Sequence, residues 1–197
     1  MKLYLMPGAC SLADHIALHE AGFDFDRIRV DGKTKRTSDG RDYNQINPKG
    51  YVPALELDDG QILTENIAIL SWIADKHPSL ALEGPMGRYR LLEMLAFIST
   101  EIHKSFKPFF KPGAGDADKQ AAAELIGKRL GFIAVQMKGD YIFGSAFSVA
   151  DAYLFVMLTW AKKNGVALPE PLPAFFKRMM ARPAVKLAFE HEQLEAA

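Results

Sequence analysis

Residues 47–70, NPKGYVPALELDDGQILTENIAIL, constrain the fold more than any other stretch, because they join a turn, two short strands and a helix start without interruption. Asn47-Pro48-Lys49-Gly50 is turn chemistry. Pro53 then stands at the head of the alternating run Ala54-Leu55-Glu56-Leu57, a sheet position that proline tolerates. A strand is predicted from Pro53. Asp58-Asp59-Gly60 reads as a tight hairpin turn into Gln61-Ile62-Leu63, and Thr64-Glu65-Asn66 opens a helix whose apolar members are Ile67, Ile69, Leu70 and Ile73. The result is a β-β-α unit.

Backbone accounting makes this unit a docking surface. Pro53 has no N–H, so sheet pairing is interrupted there, leaving the N–H and C=O of Val52 for an extended, peptide-like ligand. The first N–H groups of the helix that follows lack intrahelical partners and carry the positive end of its dipole, which favours a carboxylate. Glu65 beside them suits an ammonium group, so the pair fits a free amino acid end carrying both charges. Taken alone, Pro53 ending a turn and Thr64 capping a helix explain the same residues without a ligand.

Upstream, Lys2-Leu3-Tyr4-Leu5-Met6 reads as a strand ended by Pro7-Gly8. Cys10-Ser11 then open a helix with Leu12, Ala13, Ile16 and Ala17 on one stripe, ended by Gly22. Arg27-Ile28-Arg29-Val30 alternates as a second strand, completing a β-α-β unit with parallel strands, while the polar residues 33–40 read as a mobile loop. The two units together predict a four-stranded mixed sheet flanked by helices, closing near His77.

Cys10 is the only cysteine, which excludes an internal disulfide, fits a reducing compartment and rules out a multi-thiolate metal site within one chain. At the start of a helix its thiol pKa is expected to fall, making it a nucleophile or redox thiol, although a buried small hydrophobe fits a lone cysteine equally well. With no second cysteine three residues on, any disulfide forms with an outside thiol. Ser11 is the alternative donor to a bound thiolate. His15 and His19 stand at helical spacing, but with no HExxH pattern or carboxylate in register they read as structural or surface residues, and no metal is expected.

Lysine plus arginine equals aspartate plus glutamate at 24 each, so no net field draws the chain to nucleic acid or to an acidic membrane. The apolar run after Met1-Lys2 stops at Pro7, short of the roughly 7–15 residues of an export signal. The longest apolar run elsewhere, residues 149–161, contains Asp151 and falls below the roughly 18 residues of a membrane span. A soluble, cytoplasmic protein is expected.

Beyond the turn-rich residues 78–86 the pattern becomes helical. Residues 88–109 carry Leu91, Leu92, Leu95, Ile98 and Ile102 at helical spacing, with His103 near the end and Pro108, Pro112 and Gly113 closing the run. Residues 116–138 give another helix. Ser148 with Asp151 three residues later is a capping pattern, with Phe147 able to staple onto Ala152, and begins a very apolar helix ending near Lys163. Two short helices, split near Pro183, finish the chain.

The strand, PGACS loop and helix at the start, then NPKGYVPAL and LTENIAI, and later SFKPFF and FSVADAYL, in this order and spacing, resemble the glutathione transferases, specifically the bacterial, cysteine-containing beta class. The resemblance covers nearly the whole chain. It implies a thioredoxin-like α/β domain at residues 1–77, a linker at 78–86 and an all-helical bundle at 87–197 that forms the electrophile pocket. It further implies glutathione as co-substrate and a homodimer. Carried onto this sequence, it places Val52, before a cis Pro53, against the cysteinyl backbone, and Glu65 and Asn66 at the γ-glutamyl end. Lys35 falls near the glycine carboxylate, Cys10 in a mixed disulfide, and His103 across the site.

The sequence also departs from the family pattern. Leu5 stands where many relatives have tyrosine, with Tyr4 on the opposite strand face, and Ala96 stands where several relatives have an asparagine ligand, so that contact is either missing or replaced by Thr100. The expected activity is conjugation of glutathione to electrophiles, thiol–disulfide exchange through Cys10, or both. A glutathione-dependent isomerase or dehalogenase, and a non-catalytic ligand-binding protein, are the alternatives on the same fold.

Overall fold

A computed structural model describes residues 1–195. Strand β1 (Lys2–Leu5) lies inside a four-stranded sheet of order β2-β1-β3-β4, formed with β2 (Asp26–Arg29), β3 (Ala54–Glu56) and β4 (Ile62–Thr64). β1 runs parallel to β2, with Tyr4 opposite Ile28, and antiparallel to β3, with Leu3 opposite Leu55. The mixed sheet follows from the sequence. A helix connects the parallel pair and the Asp58-Asp59-Gly60 turn connects the antiparallel one.

Alternation along β1 divides two cores. Leu3 and Leu5 pack under α1 (Leu12–Glu20) and α3 (Asn66–Lys76), whereas Tyr4 joins Val30, Tyr43, Val52 and Ala54 on the opposite face. A short helical turn, α2 (Tyr43–Ile46), supplies Tyr43. Residues 33–40, expected as an open loop, are tied down by bridges from Val30 to Thr37 and from Arg36 to Asp42. Asp31 Oδ1 there accepts the N–H groups of Lys33 and Thr34.

The helical part centres on α7 (Val149–Lys163), almost all of whose residues are buried, between α1, α3, α4 (Gly87–Phe97) and α8 (Leu172–Ala181). It begins as the sequence predicts. Asp151 Oδ2 accepts from the Ser148 N–H at 2.8 Å and from the Ser148 hydroxyl at 2.7 Å, and Oδ1 accepts the Ile142 N–H at 2.9 Å. Helix α6 (Asp116–Gln136) flanks the bundle and α9 (Pro183–Glu192) packs on α1. No helix among the described residues is long and apolar enough to cross a membrane.

The helix expected over residues 88–109 is not continuous. After α4 the chain makes a π-turn (Ile98–Ile102), a tighter 3-10 turn (His103–Phe106) and a last α-helical turn, α5 (Lys107–Phe110). Single π-turns inside helices recur at functional sites, because the extra residue re-aims the side chains that follow.

Helix α4 can start only where a side chain is missing. A Cβ on Gly87 would sit 2.1 Å from the Leu82 carbonyl oxygen, which is backbone and cannot swing aside. Gly87→Ala is therefore expected to cost about 2 kcal/mol or more, as overpacking does. Urea denaturation reads this as a lower midpoint, and an unchanged midpoint would show that the linker gives freely.

Candidate functional site

A cleft of about 1020 Å³ opens between the sheet domain and the helices, and it gathers Cys10, Val52, Pro53, Glu65, Asn66 and His103. The Val52–Pro53 peptide is cis. Val52 C=O accepts only the Cys10 thiol, at 3.6 Å, and its N–H has no backbone acceptor among the described residues. An extended strand laid here would find one free donor and one weakly engaged acceptor.

At the far end of this strip Glu65 caps α3 with φ of 77°, an unusual conformation for a residue with a side chain, and it makes no side-chain cap. Such strain concentrates where a site requires it. The first N–H groups of α3 are left open to the cleft. The Glu65 carboxylate is held by Lys49 Nζ at 2.5 Å and by the Tyr51 hydroxyl at 2.8 Å, which keeps its pKa below the usual carboxylate range. Asn66 Nδ2 donates to the Cys10 carbonyl at 3.1 Å, while its Oδ1 is buried without a partner, an acceptor facing a donor not yet supplied.

The loop bearing Cys10 is clamped by the helical domain. Gly8 adopts φ of +69°, which glycine accepts without strain. Its C=O accepts Trp160 Nε1–H at 2.8 Å and its N–H donates to Glu192 Oε2 at 2.8 Å. The thiol itself departs from expectation. Burial, then the neighbouring Asp14, push it up to about 12 against the backbone N–H groups of Cys10 and Ser11. Asp14 is itself fully buried with neither carboxylate oxygen paired, and burial pushes its pKa well up. A helix start does not outweigh the loss of water here.

Across the cleft, His103 Nδ1 lies 2.7 Å from the Tyr153 hydroxyl, with the Trp160 ring edge-on at 5.0 Å. Burial, then Lys104, lower its pKa to about 4, and burial drives the Tyr153 phenol upward, so both are neutral. Ser99 hydrogen-bonds the same phenol. Where Tyr153 donates to Nδ1, the His103 proton sits on Nε2. This relay was not legible in the sequence, where Tyr153 reads as one more core residue of α7.

Three expected contacts are not brought to the cleft. The Ser11 hydroxyl is wholly buried and turned to the Met6 backbone, which satisfies it at 3.3 and 3.4 Å. Lys35 Nζ donates to the Gly50 carbonyl at 2.7 Å, bracing the turn before Val52. Thr100 is exposed and donates back to the Ala96 carbonyl within its own turn; Ser99 is the residue that lines the cleft. Ser11 and Thr100 share one physical source, a short polar side chain bonding to a nearby backbone group.

Beyond the thiol the cleft becomes apolar, walled by Leu91, Leu92, Phe110 and Trp160. Its chemistry is thus split between a polar strip for a zwitterionic peptide and an apolar chamber.

Comparison with known proteins agrees with this division. Residues 9–76 match the glutathione S-transferase N-terminal domain and residues 97–183 the C-terminal domain. The chain is 44% identical over 202 residues to Glutathione S-transferase GstA of Escherichia coli O157:H7, across 99% of this chain and 100% of that protein. A sphingomonad glutathione S-transferase solved in complex with glutathione superposes with a TM-score of 0.92 at 47% identity, covering 99% of this chain and 100% of that one. The beta class enzyme of Sphingomonas chungbukensis gives 0.90 at 45%, over 99% and 100%. With its cleft built from both matched halves and full-length relatives at this identity, the chain belongs to the glutathione S-transferase family.

Proposed function

We propose that this protein is a glutathione transferase in which residues 1–77 bind the tripeptide, residues 78–86 link, and residues 87–197 form the electrophile chamber. The observation that carries this reading is the Val52 peptide, with its N–H unpaired, lying in one cleft with Cys10, His103 and the uncapped start of α3. Glutathione docks as an added strand along Val52. Its γ-glutamyl carboxylate takes the open N–H groups of α3, and its ammonium goes to Glu65 and the unpartnered Asn66 Oδ1. Its sulfur falls between Cys10 and His103, where His103 Nε2–H and the protonated Cys10 thiol donate to the glutathione thiolate. Stabilising the anion in a water-poor site makes it available to attack an electrophile in the apolar chamber.

The same thiol supports exchange. Once deprotonated, Cys10 attacks the glutathione sulfur of a mixed disulfide and expels the substrate thiolate. A reduced glutathione then attacks the Cys10–glutathione bond, leaving oxidised glutathione and the Cys10 thiolate. We place this work in the reducing cytoplasm, disposing of reactive electrophiles, in a homodimer that pairs the sheet domain of one subunit with the helices of the other. Val135, 88% exposed, and Phe132, 50% exposed, on α6 offer apolar surface for such a contact.

The test is turnover on a panel of aryl and alkyl electrophiles, together with mass spectrometry after incubation with oxidised glutathione. Conjugation and an adduct of one glutathione on Cys10 are expected; neither turnover nor adduct would reduce the protein to a binding module. The pH profile adds a second check. Because His103 is held near 4, kcat/KM is expected to rise with pH through the bound thiol, with no imidazole inflection between about pH 5 and 8. A rate that follows a group titrating near 6.5 and disappears in His103→Phe would make the imidazole a titrating base instead.

A further inference from the structure

Away from the cleft, α1 and α9 bring three imidazoles together. His15 and His19 stand one helical turn apart on the same face of α1, and His191 reaches them from the last turn of α9. Ring centroids are 4.9 Å apart for His15 and His19, 5.6 Å for His15 and His191, and 5.3 Å for His19 and His191. One ring nitrogen of each lies within 4.8 Å of one on each of the others. His15 Nε2, His19 Nε2 and His191 Nδ1 are shut off from solvent and have no hydrogen-bond partner. Native proteins rarely leave one buried polar atom unpaired, and three such nitrogens on neighbouring rings call for a shared partner.

The surroundings select what that partner is. His15 Nδ1 lies 2.8 Å from Glu192 Oε1, both groups fully buried; donating that N–H to the carboxylate leaves Nε2 with its lone pair, the orientation of a metal-ligating histidine. Burial holds all three imidazoles below their usual range, so they are neutral ligands at neutral pH. Phe25 walls the cluster, 5.7 Å from His15 and 5.0 Å from His19. Glu20 and Glu190 add negative charge, opposed by Arg27, while burial raises the Glu192 carboxyl to about 7. His19 and His191 are only half-buried, whereas His15 forms the floor.

We propose that His15, His19 and His191 form a three-histidine site for a divalent transition-metal ion of the Zn²⁺ type, clamping α9 against α1. Imidazole donors suit Zn²⁺, Ni²⁺ or Cu²⁺ and not Mg²⁺ or Ca²⁺. Zn–N bonds of about 2.0–2.1 Å put tetrahedral nitrogens roughly 3.3 Å apart. The rings, now within 4.8 Å, close onto the ion by small side-chain rotations, with a water as fourth ligand. Neither helix is useful alone: the His15/His19 pair is two ligands, and the third comes from the other end of the chain.

The experiment is calorimetric titration of Zn²⁺ into tag-free, chelator-stripped protein, repeated with His19→Phe and His191→Phe, which keep a ring in the stack. Expected are one ion per chain with micromolar or tighter affinity and a rise in Tm of about 5 °C at a hundredfold excess over Kd. Each substitution should weaken binding at least about tenfold, since even outer-shell losses cost 10–100-fold, with glutathione affinity unchanged. Either variant suffices if the other does not fold. Co²⁺ should give the intense visible bands of a four-coordinate ion with no thiolate charge-transfer band. Zn²⁺ binding that is absent, that survives both substitutions, or that disappears in Cys10→Ser would overturn the assignment.

Discussion

Cys10→Ala is expected to lower glutathione-dependent disulfide exchange by about 100-fold or more, as loss of a reacting group does. Binding of reduced glutathione should weaken by no more than about tenfold. The asymmetry follows from what the thiol touches. In the exchange cycle its sulfur forms the bond that breaks. In binding it offers the glutathione sulfur a single hydrogen bond from a weak S–H donor, worth ~0.5–1.5 kcal/mol net, while the peptide is held by Val52, Glu65 and the start of α3. The thiol of the ligand-free protein is pushed up to about 12, chiefly by burial, so at pH 7 the thiolate is a minor species. Alkylation of Cys10 by a neutral reagent should accordingly be slow and still climbing above about pH 9, the ordinary range of thiol titration being already passed. Exchange at wild-type rates in Cys10→Ala would make the cysteine structural.

Asp151→Asn should be the most damaging single change outside the cleft, costing about 3 kcal/mol or more, as breaking a buried, fully satisfied charge does. For a chain of this size that is a fall in Tm of roughly 6–12 °C. The carboxylate is wholly buried and accepts from two N–H groups and a hydroxyl; burial raises its pKa to about 6, so it is ionised at neutral pH. An asparagine turns an N–H₂ toward at least one of those donors and leaves it orphaned in the middle of the bundle. Ser148→Ala removes only the hydroxyl and should cost about 1 kcal/mol. Chemical denaturation separates the two, and near-equal small losses would mean that α7 does not depend on its cap.

The contrast between those sites indicates what the sequence discloses. NPKGYVPAL and LTENIAI are contiguous, so the strip that holds Val52, Glu65 and Asn66 follows from turn chemistry and backbone counting alone. The cap of α7 is likewise four residues in a row. The break at Ile98–Ile102 was hidden because Leu91, Leu95, Ile98 and Ile102 keep helical spacing through a π-turn, and periodicity does not register one extra residue. Partnerships at long range were hidden for a plainer reason. His103 meets Tyr153 fifty positions away, and His15 meets His191 and Glu192 from the far end of the chain. The Cys10 thiol misled because helix position is written in the sequence and burial is not.

Calorimetry with reduced glutathione tests the central claim most directly, that a zwitterionic tripeptide lies along Val52 with its charged head at Glu65 and the start of α3. One-to-one uptake is expected, weakened about tenfold or more in Glu65→Ala, since hydrogen bonds to charged groups contribute ~1.5–3 kcal/mol. No uptake by the wild-type protein, or equal affinity in both, would contradict it.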